Sequence, residues 1–485
     1  MVSASAGILY NIYKTDFSQN GAAGKMVEYR HMTVNGAVIY AYDDRYVATF
    51  SFAADGSDNY RPGNRWGFYP SLGLGWIVSR ERFLRDSRMV DLLKLRASVG
   101  KNGWDPMGEM RYLWEGYYTG RGGLNTGNSE HTWHGGTALS YLPNPDVFAE
   151  KSLKYDAGID LRLWNRLSLN VDLFLEKRSG IVTQDWMIPG ASGVDNPPYR
   201  NIGRMTNKGF EVQLSWADRI GDFNYALTGM ASYNSNKVDY MAEVVTVPTA
   251  ARTGRRLDAL FGYVADGFYD WDDFDVGGEL REGLPKPTFG AVQPGDIKYK
   301  NLNGDTVIDE NDQTAIGDSY LPKLQYSFSL AASYKGFDLF ALFQGAAGRD
   351  VNLLDAPLQN VAFRDNGNVY GIAEGRWAYY PEQGIDTRAT ATYPRLSLQD
   401  NSNNYRNSTL WKRSGDFLKL RNVELGYTFA QPSLSKAGIS KIRIYLSGVN
   451  LLTVSRLMRD YDIDPEILSG HPALKSYNLG LTVTF

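Results

Sequence analysis

The sequence predicts an all-β fold, an antiparallel transmembrane β-barrel with long extracellular loops, and three observations carry that prediction. Apolar and polar residues alternate over segments of ten or more residues, such segments recur along the chain, and short connections alternate with long ones. Successive side chains of a strand point to opposite faces, so alternation gives each strand one apolar and one polar face. Outer-membrane barrels combine this weak, repeated signal with short turns at one rim and long loops at the other.

The final segment, 476–485, gives the clearest alternation. Its apolar face carries Tyr477, Leu479, Leu481, Val483 and Phe485, and the residues between them are polar or glycine. An apolar strand face has to be covered by a protein core or by lipid, and we favour lipid. We therefore expect this segment to be the last strand of a membrane barrel.

The alternation pattern predicts about 14 strands. Two of them are joined by only Trp164, Asn165 and Arg166, so they should form an antiparallel hairpin. In the strand near 417–429 the pattern changes parity, which predicts a bulge or the interface end of the strand. The predicted strands lie near 2–13, 37–43, 45–53, 71–79, 92–101, 151–163, 167–180, 204–217, 223–238, 325–335, 337–348, 417–429, 442–453 and 476–485.

The connections between these strands fall into two sets that alternate along the chain. Short ones lie at 43–44, 164–166, 218–222 and 335–336. Long ones lie near 53–70, 102–150, 181–203, 239–324, 349–416 and 454–475. Because outer-membrane barrels have short periplasmic turns and long outer loops, this alternation predicts extracellular long loops and a periplasmic carboxyl terminus.

Composition excludes several other classes of protein. The net charge is -3, which lacks the basic excess of a nucleic-acid binder, and no apolar run is long enough for a spanning helix. The absence of cysteine excludes disulfides, zinc-thiolate sites and thiol catalysis. Soluble sandwiches have strands of about 5 or 6 residues, and propellers repeat at a fixed period, so neither fits this chain. The first residues do not resemble a signal peptide. Either the export signal lies upstream of residue 1, which we expect, or the membrane interpretation is wrong.

The segment 301–312 has the oxygen spacing of a calcium-binding loop. The candidate ligands, at relative positions 1, 3, 5, 7, 9 and 12, are Asn301, Asn303, Asp305, Val307 through its carbonyl, Asp309 and Asp312. Calcium takes about six to eight oxygen ligands, which such a loop can supply. Asn301 replaces the usual first Asp, Thr306 replaces the usual Gly, and Asp312 is shorter than the usual Glu. A solvated Asn/Asp turn is therefore the alternative, and calcium here would brace structure without catalysing a reaction.

Aromatic side chains are frequent in the long connections, where they could stack on sugar rings or simply pack against the loops and the membrane interface. They are Trp104, Tyr112, Trp114, Tyr117, Tyr118, Trp133, Trp377, Tyr379 and Tyr380. His131 and His134 could share a metal only if helical, and we expect them in a solvated loop. The sequence contains no nucleophile elbow, phosphate-binding loop or dinucleotide motif, so we expect no enzyme.

Several short motifs resemble the barrel of SusC/RagA-type TonB-dependent transporters of Bacteroidetes, in family order along nearly the whole chain. They lie at 42–46, 55–57, 65–71, 75–76, 93–98, 207–211, 295–299, 334–338, 343–345, 418–423 and 447–451. The resemblance implies a barrel of roughly 22 strands around an amino-terminal plug. Residues 1–485 would then be its carboxyl-terminal part, with the plug and the signal peptide outside this chain. No required cofactor is implied.

The resemblance also implies import of oligosaccharides or peptides with a SusD-like surface lipoprotein, driven by TonB, ExbB and ExbD acting through the missing amino-terminal part. The expected residues of the polar lumen are Asp156, Asp160, Asp172, Glu176 and Glu211. They would line the passage or anchor the plug by hydrogen bonds. The alternatives are a plug-free porin and a calcium-braced surface-binding barrel without energised transport, and the sequence does not decide between glycan and peptide cargo.

Overall fold

The computed structural model describes residues 2–17, 25–105, 111–116, 118–126, 132–139, 141–189, 191, 196–355, 360–363, 368–398, 401–429 and 438–485. Within them, fourteen antiparallel strands form one sheet whose order follows the chain, which confirms the predicted class. These strands are β1 (Val2–Phe17), β2 (Lys25–Tyr42), β3 (Tyr46–Ser57), β4 (Trp66–Ile77), β5 (Val90–Trp104), β6 (Glu150–Leu163), β7 (Leu167–Gln184), β8 (Tyr199–Ile220), β9 (Phe223–Tyr240), β10 (Leu324–Tyr334), β11 (Phe337–Ala347), β12 (Phe417–Phe429), β13 (Lys441–Ser455) and β14 (Ser476–Thr484).

Most strands are longer than the sequence predicts. β2 begins at Lys25 where the alternation predicts 37, and β8 begins at Tyr199 where it predicts 204. The end of β3 shows the reason, because Asp55, Gly56 and Ser57 carry no apolar face although they still pair with β4 or β2. Alternation marks only the part of a strand with one apolar face, whereas backbone pairing continues beyond it.

Three of the predicted short connections are tight turns with left-handed residues. Asp43 and Asp44 both have φ of 49°, Trp164 and Asn165 both have φ of 53°, and Lys335 has φ of 46° before Gly336. Consecutive left-handed residues match the right-handed twist of the flanking strands, which is why such turns close hairpins. The hairpin predicted at 164–166 is confirmed, and the short connections at 43–44 and 335–336 also join antiparallel neighbours.

The predicted irregularity in β12 is a bulge at Arg421. On β11, Leu342 lies opposite Asn422 but Phe343 lies opposite Leu420, so Arg421 is an extra residue in the ladder. The register between β12 and β13 shifts at the same place. The bulge keeps the apolar residues on both sides of it on one face, which explains the change of parity in the sequence.

The chain divides into two compact units, residues 1–210 with 235–244 and residues 211–234 with 245–485. Each unit has sheet strands with an exposed apolar face. In the first unit the exposed side chains include Phe50, Leu72 and Leu74, and in the second they include Leu425, Leu446, Leu479 and Leu481. The expected single domain over 1–485 stays a prediction.

The long connections of the second unit form their own core, which the sequence does not predict. The buried cluster consists of Tyr263, Ile297, Tyr299, Ile308, Val351, Leu353, Ala362, Ala373, Tyr393, Trp411, Leu457 and Ile463. Short strand pairs support the connections. One lies in the first unit, Tyr118–Thr126 with Thr132–Leu139. Those of the second unit are Leu260–Gly262 with Thr314–Gly317, Ala265–Phe268 with Ile297–Tyr299, Lys286–Pro287 with Val307–Ile308, Asp350–Asn352 with Lys412–Ser414, and Tyr379–Tyr380 with Ile385–Asp386.

Helical structure is sparse. The described α-helix α1 spans Arg456–Tyr461, and single 3-10 turns occur at Val78–Arg80, Pro248–Ala250, Trp271–Asp273, Glu310–Asp312, Leu353–Asp355, Gly371–Gly375 and Pro381–Gln383. Across the residues with described structure, no helix is long and apolar enough to cross a membrane.

Candidate functional site

A network of ion pairs covers the polar face of β5, β6 and β7 in the first unit. Arg96 on β5, Gly158 on β6 and Asp172 on β7 lie side by side in register. The Arg96 guanidinium passes over Gly158 and donates to the Asp172 carboxylate. A side chain at Gly158 would obstruct this path, because its Cβ would lie 2.6 Å from Arg96 Cζ. Arg96 Nε also lies 3.4 Å from Asp160 Oδ1.

Asp156 and Glu176, two of the other three predicted acidic residues of the polar face, have cationic neighbours as well. Asp156 Oδ1 lies 3.6 Å from Arg96 Nη1, and Glu176 Oε1 lies 3.5 Å from Arg178 Nη2. Glu211 belongs to the second unit, where the Ser232 hydroxyl donates to it at 3.5 Å. The structure therefore brings four of the five predicted acidic residues onto one polar surface. The central cation of this surface was not predicted, although alternation places Arg96 on the same face.

A second ion pair in the other unit crosses a glycine in the same way. Asp338 on β11 lies opposite Gly426 on β12, and Arg443 reaches over Gly426 from β13. Arg443 Nε donates to Asp338 Oδ1 at 3.0 Å, and its Nη2 donates to Glu424 Oε1 at 2.6 Å. In both units, therefore, an arginine on the polar face reaches an acidic residue across a glycine, which has no side chain to obstruct the ion pair.

Near one end of β12, Lys419 is buried among carboxylates from the connection before β14. Only 1% of its side chain is exposed, and its Nζ donates to Asp464 Oδ1 at 2.8 Å and Glu466 Oε2 at 2.7 Å. Arg421, turned by the bulge, also donates to Glu466. Burial acts to raise the pKa of Asp464 and Glu466, but the hydrogen bonds from these cations outweigh it, so the pKa of each lies below its ordinary value.

The first unit contains an open cavity of about 520 Å³ where aromatic and charged side chains meet. It is lined by Arg30, His31, Met32, Gly56, Ser57, Asp58, Arg65, Trp66, Tyr112, Trp114 and Glu115. Leu113 fixes its two aromatic neighbours, because it packs into a buried cluster with Tyr60 and Val147. The indole Nε1 of Trp114 has no hydrogen-bond partner among the residues that the structure describes. Flat aromatic faces, this unpaired donor and the arginines together suit a ligand with apolar faces and many oxygen atoms.

The remaining predicted aromatic residues have different surroundings. Trp104, Tyr118, Trp133 and Tyr380 are exposed, whereas Trp377 is only 7% exposed and belongs to the packing of the loops. The Tyr379 ring lies 3.9 Å from the Arg388 guanidinium carbon. Tyr117 and His131 lie outside the described residues. His134 is exposed, and its Nε2 lies 2.8 Å from Thr126 Oγ1.

The candidate calcium loop is held by hydrogen bonds from its own backbone. Asp305 Oδ1 accepts from the Val307 amide at 2.8 Å, and the buried Asp312 accepts from the Asp309 amide at 2.9 Å. Asn301 and Asn303 accept from the amides of Gly304 and Asp305, respectively. These contacts are those of Asn/Asp turns. Within the described residues, no three His, Asp or Glu side chains cluster as metal ligands. The proposed ligands also include amide and carbonyl oxygens, which such a cluster does not count, so calcium binding stays a prediction.

A buried aspartate joins two of the long connections. Asp296 is fully buried and accepts from Arg395 Nε at 2.7 Å, Asn401 Nδ2 at 3.0 Å and Asn404 Nδ2 at 2.9 Å. Asn404 Oδ1 in turn accepts from the Ile297 amide at 2.8 Å. Side chains from one connection therefore satisfy the carboxylate and the backbone of the other, which is what burial of polar groups requires.

The sequence profile of the family described as "TonB dependent receptor-like, beta-barrel" matches residues 4–451. TonB-dependent receptor P26 of Formosa agariphila is 28% identical over 509 residues, covering 98% of this chain and 48% of that protein. TonB-dependent receptor SusC of Bacteroides thetaiotaomicron is 25% identical over 486 residues, covering 93% of this chain and 43% of that protein. The chain thus spans about half the length of the curated relatives it matches.

The solved structure of the RagAB peptide transporter has a similar fold. The match covers 100% of this chain and 53% of that chain, with a TM-score of 0.72 at 21% identity. The RagAB peptide importer in its "open-open" state gives a TM-score of 0.74 at 21% identity, covering 100% of this chain and 52% of that chain.

Proposed function

This chain belongs to the family of TonB-dependent receptor-like β-barrels, and on that premise we propose that it forms part of an outer-membrane importer of oligosaccharides or peptides. The resemblance to SusC/RagA-type transporters is confirmed by the matches to SusC and RagAB. The family consists of receptors and transporters, so we propose import without an enzymatic reaction.

The observation that carries the proposal is the separation of apolar and charged side chains on the sheet strands. Exposed leucines and aromatic residues such as Phe50, Leu74 and Leu446 suit contact with lipid, where a charged side chain costs about 2–4 kcal/mol at the membrane midplane. The ion pairs of Arg96 and Arg443 lie on the polar face. An outward apolar face and a charged inner wall are what a water-filled passage through lipid needs.

The cavity at Trp66 and Trp114 supports a role in recognition of the cargo. Its aromatic faces can stack on sugar rings or apolar peptide side chains, and Arg30 and Arg65 add hydrogen-bond donors. RagAB is a peptide transporter, and the proposal keeps oligosaccharides beside peptides because the resemblance to SusC/RagA-type transporters implies both cargo classes. If the long connections face the outside of the cell, the cargo would meet this cavity before it enters the passage through the membrane.

The proposed partners are a SusD-like surface lipoprotein and the TonB, ExbB and ExbD complex, the latter acting through parts of the transporter outside this chain. In this arrangement the short turns and the carboxyl terminus face the periplasm. Calcium at 301–312 is proposed only as a structural brace of one long connection.

The test is uptake by cells that lack the full-length protein and by cells in which it is restored. Labelled oligosaccharides and peptides are supplied with and without a protonophore. We expect uptake of one cargo class to depend on the protein and to stop with the protonophore. Uptake that depends on the protein but continues with the protonophore would favour a plug-free porin and overturn energised import.

A further inference from the structure

A buried arginine with unused hydrogen-bond donors lines a separate cavity in the second unit. Arg349 follows β11 after Gly348, and its backbone is held in place because its carbonyl accepts from the Gly415 amide at 2.9 Å. The residue is 6% exposed. Its guanidinium carbon lies 4.3 Å from the centre of the Tyr320 ring and 6.0 Å from that of Phe417. Two aromatic rings therefore hold the guanidinium in a fixed place.

The hydrogen-bonding capacity of this guanidinium is largely unused. Arg349 Nε and Nη2 have no hydrogen-bond partner, and Arg349 forms no ion pair with any acidic residue in the described part of the chain. Leaving a buried charge unpaired is costly, whereas a carboxylate can accept from two guanidinium nitrogens at once. These nitrogens share one edge of the planar group, the edge that presents two parallel donors.

The cavity beside Arg349 has a volume of about 270 Å³. Its lining includes Tyr320, Gln325, Gln344, Phe417 and Glu466. This volume is just below the usual range of about 300–1,000 Å³ for small-molecule pockets, so it suits the end of a ligand better than a whole chain. Tyr320, which is 46% exposed, lies over one face of the guanidinium, and the Nε and Nη2 atoms of Arg349 are buried, so binding of a ligand requires neighbouring groups to move.

The acidic residue of this cavity does not cancel the charge of Arg349. Both oxygens of Glu466 are already engaged, Oε2 by Lys419 at 2.7 Å and Oε1 by Arg421. Gln344 Oε1 accepts from Arg421 Nε at 2.9 Å, which leaves its amide hydrogens as donors. The Asp416 carboxylate accepts from the backbone amide of Arg349 at 3.3 Å but forms no ion pair with its guanidinium in the described part of the chain. The cavity therefore offers a guanidinium without an ion pair together with amide donors, a combination suited to a negatively charged group.

We propose that this cavity binds a carboxylate at the end of the imported ligand through the guanidinium of Arg349. The inference rests on the proposed import function and narrows its cargo to ligands with a free carboxylate. Two sources share this chemistry: the carboxyl terminus of a peptide and the carboxylate of a uronic acid at the end of an oligosaccharide.

The experiment compares ligand pairs on the purified full-length protein by calorimetry. One pair is a peptide pool with free or amidated carboxyl termini, and the other is a uronate-terminated oligosaccharide and its methyl ester. Removing the charge should weaken binding at least about tenfold in one pair, which identifies the source. Equal affinities within both pairs, or no binding of either acid, would overturn the inference.

Variants add a second readout. Arg349→Met should abolish the preference for the acid, and Arg349→Lys should restore only part of it, because an ammonium group lacks the paired donors. Arg219→Met, at the exposed end of β8, serves as the matched control and should keep the preference. The comparison of the ligand pairs uses the wild-type protein, so it tests the carboxylate site even if Arg349→Met does not fold. Energised uptake of a neutral ligand with no acid preference would overturn this inference while leaving the import function intact.

Discussion

Arg96 and Asp172 form an ion pair across an intervening strand, with only the backbone of Gly158 between them. The pair exists because the middle strand has no side chain at that position. The same arrangement occurs between Arg443 and Asp338 over Gly426. A glycine in a strand usually weakens it, so its presence here indicates a close approach of neighbouring groups.

Replacing Gly158 by alanine should separate this ion pair. The new Cβ would lie 2.7 Å from Asp172 Oδ1, so one of the two charged side chains has to move. We expect a loss of about 1 kcal/mol in the free energy of unfolding, since the pair is partly exposed to solvent. The measurement is urea unfolding of the protein in detergent micelles. Gly73→Ala is the matched control, because its nearest side-chain atoms lie at 3.9 Å. Equal effects at both positions would contradict the role assigned to Gly158.

Lys419→Met should strongly destabilise the connection before β14. It leaves Asp464 and Glu466 without the buried ammonium group that donates to both. Removing one partner of a buried ion pair typically costs about 3–5 kcal/mol. The control is Lys154→Met, because Lys154 is half exposed and lies 3.9 Å from Glu176, where a loss below about 1 kcal/mol is expected. Similar losses for the two variants would show that Lys419 is not a buried structural cation.

The same cluster should make stability depend on pH. The pKa of Asp464 and of Glu466 is lowered in the folded protein, so their contribution is fully present above the ordinary carboxyl pKa of about 4. It is lost as the pH falls below about 4 through the lowered folded values. Melting temperatures measured from pH 7 to pH 3 should therefore fall for the wild type, and its advantage over Lys419→Met should narrow. A constant difference between the two proteins would refute this linkage.

Trp114→Ala should weaken cargo binding at the aromatic cavity. Loss of one stacking face is worth about 1 kcal/mol, or roughly fivefold in affinity. Trp114→Phe should retain most of the affinity, and Trp133→Ala should change nothing, because Trp133 is an exposed side chain outside the cavity lining. Calorimetry with the transported cargo measures all three. An affinity that is unchanged in Trp114→Ala would remove this cavity from the recognition path.

Calcium should raise the melting temperature if the segment 301–312 binds it. A ligand at about 100 times its dissociation constant stabilises the folded state by about 2.7 kcal/mol. Asp305→Asn should remove the effect, because an amide oxygen can still accept from the Val307 amide but lacks the charge. Asp275→Asn is the control, since Asp275 accepts from the Gly277 amide in a similar turn. Identical melting curves in calcium and in chelator would leave the solvated turn as the correct interpretation.

The strands were predictable because alternation is a local property of the sequence. The pattern of Leu418, Leu420, Val423 and Leu425 even located the bulge, since an inserted residue has to shift the parity. The strand ends were missed because pairing continues where neither face is apolar. The acidic residues of the polar-face network could also be predicted from alternation. The contact of Arg96 with Asp172 across Gly158 could not, because it depends on the register of three strands.

The partners of Lys419 and Asp296 were not predictable, because they come from distant connections. Asp464 lies 45 residues after Lys419, and Arg395 lies 99 residues after Asp296. No periodic pattern links such positions in a single sequence. Composition alone points to Tyr112 and Trp114, but their meeting with Trp66 depends on how Leu113 packs.

The burial of Asp296 has a consequence for how the long connections of the second unit can change in sequence. Its three side-chain donors all come from 395–404, whereas the aspartate itself belongs to 245–323. A chimaera that takes only one of these segments from a relative would inherit either a buried carboxylate without its side-chain donors or donors without their acceptor. Recombination should therefore succeed when both segments are transplanted as a block, and fail when they are exchanged one at a time.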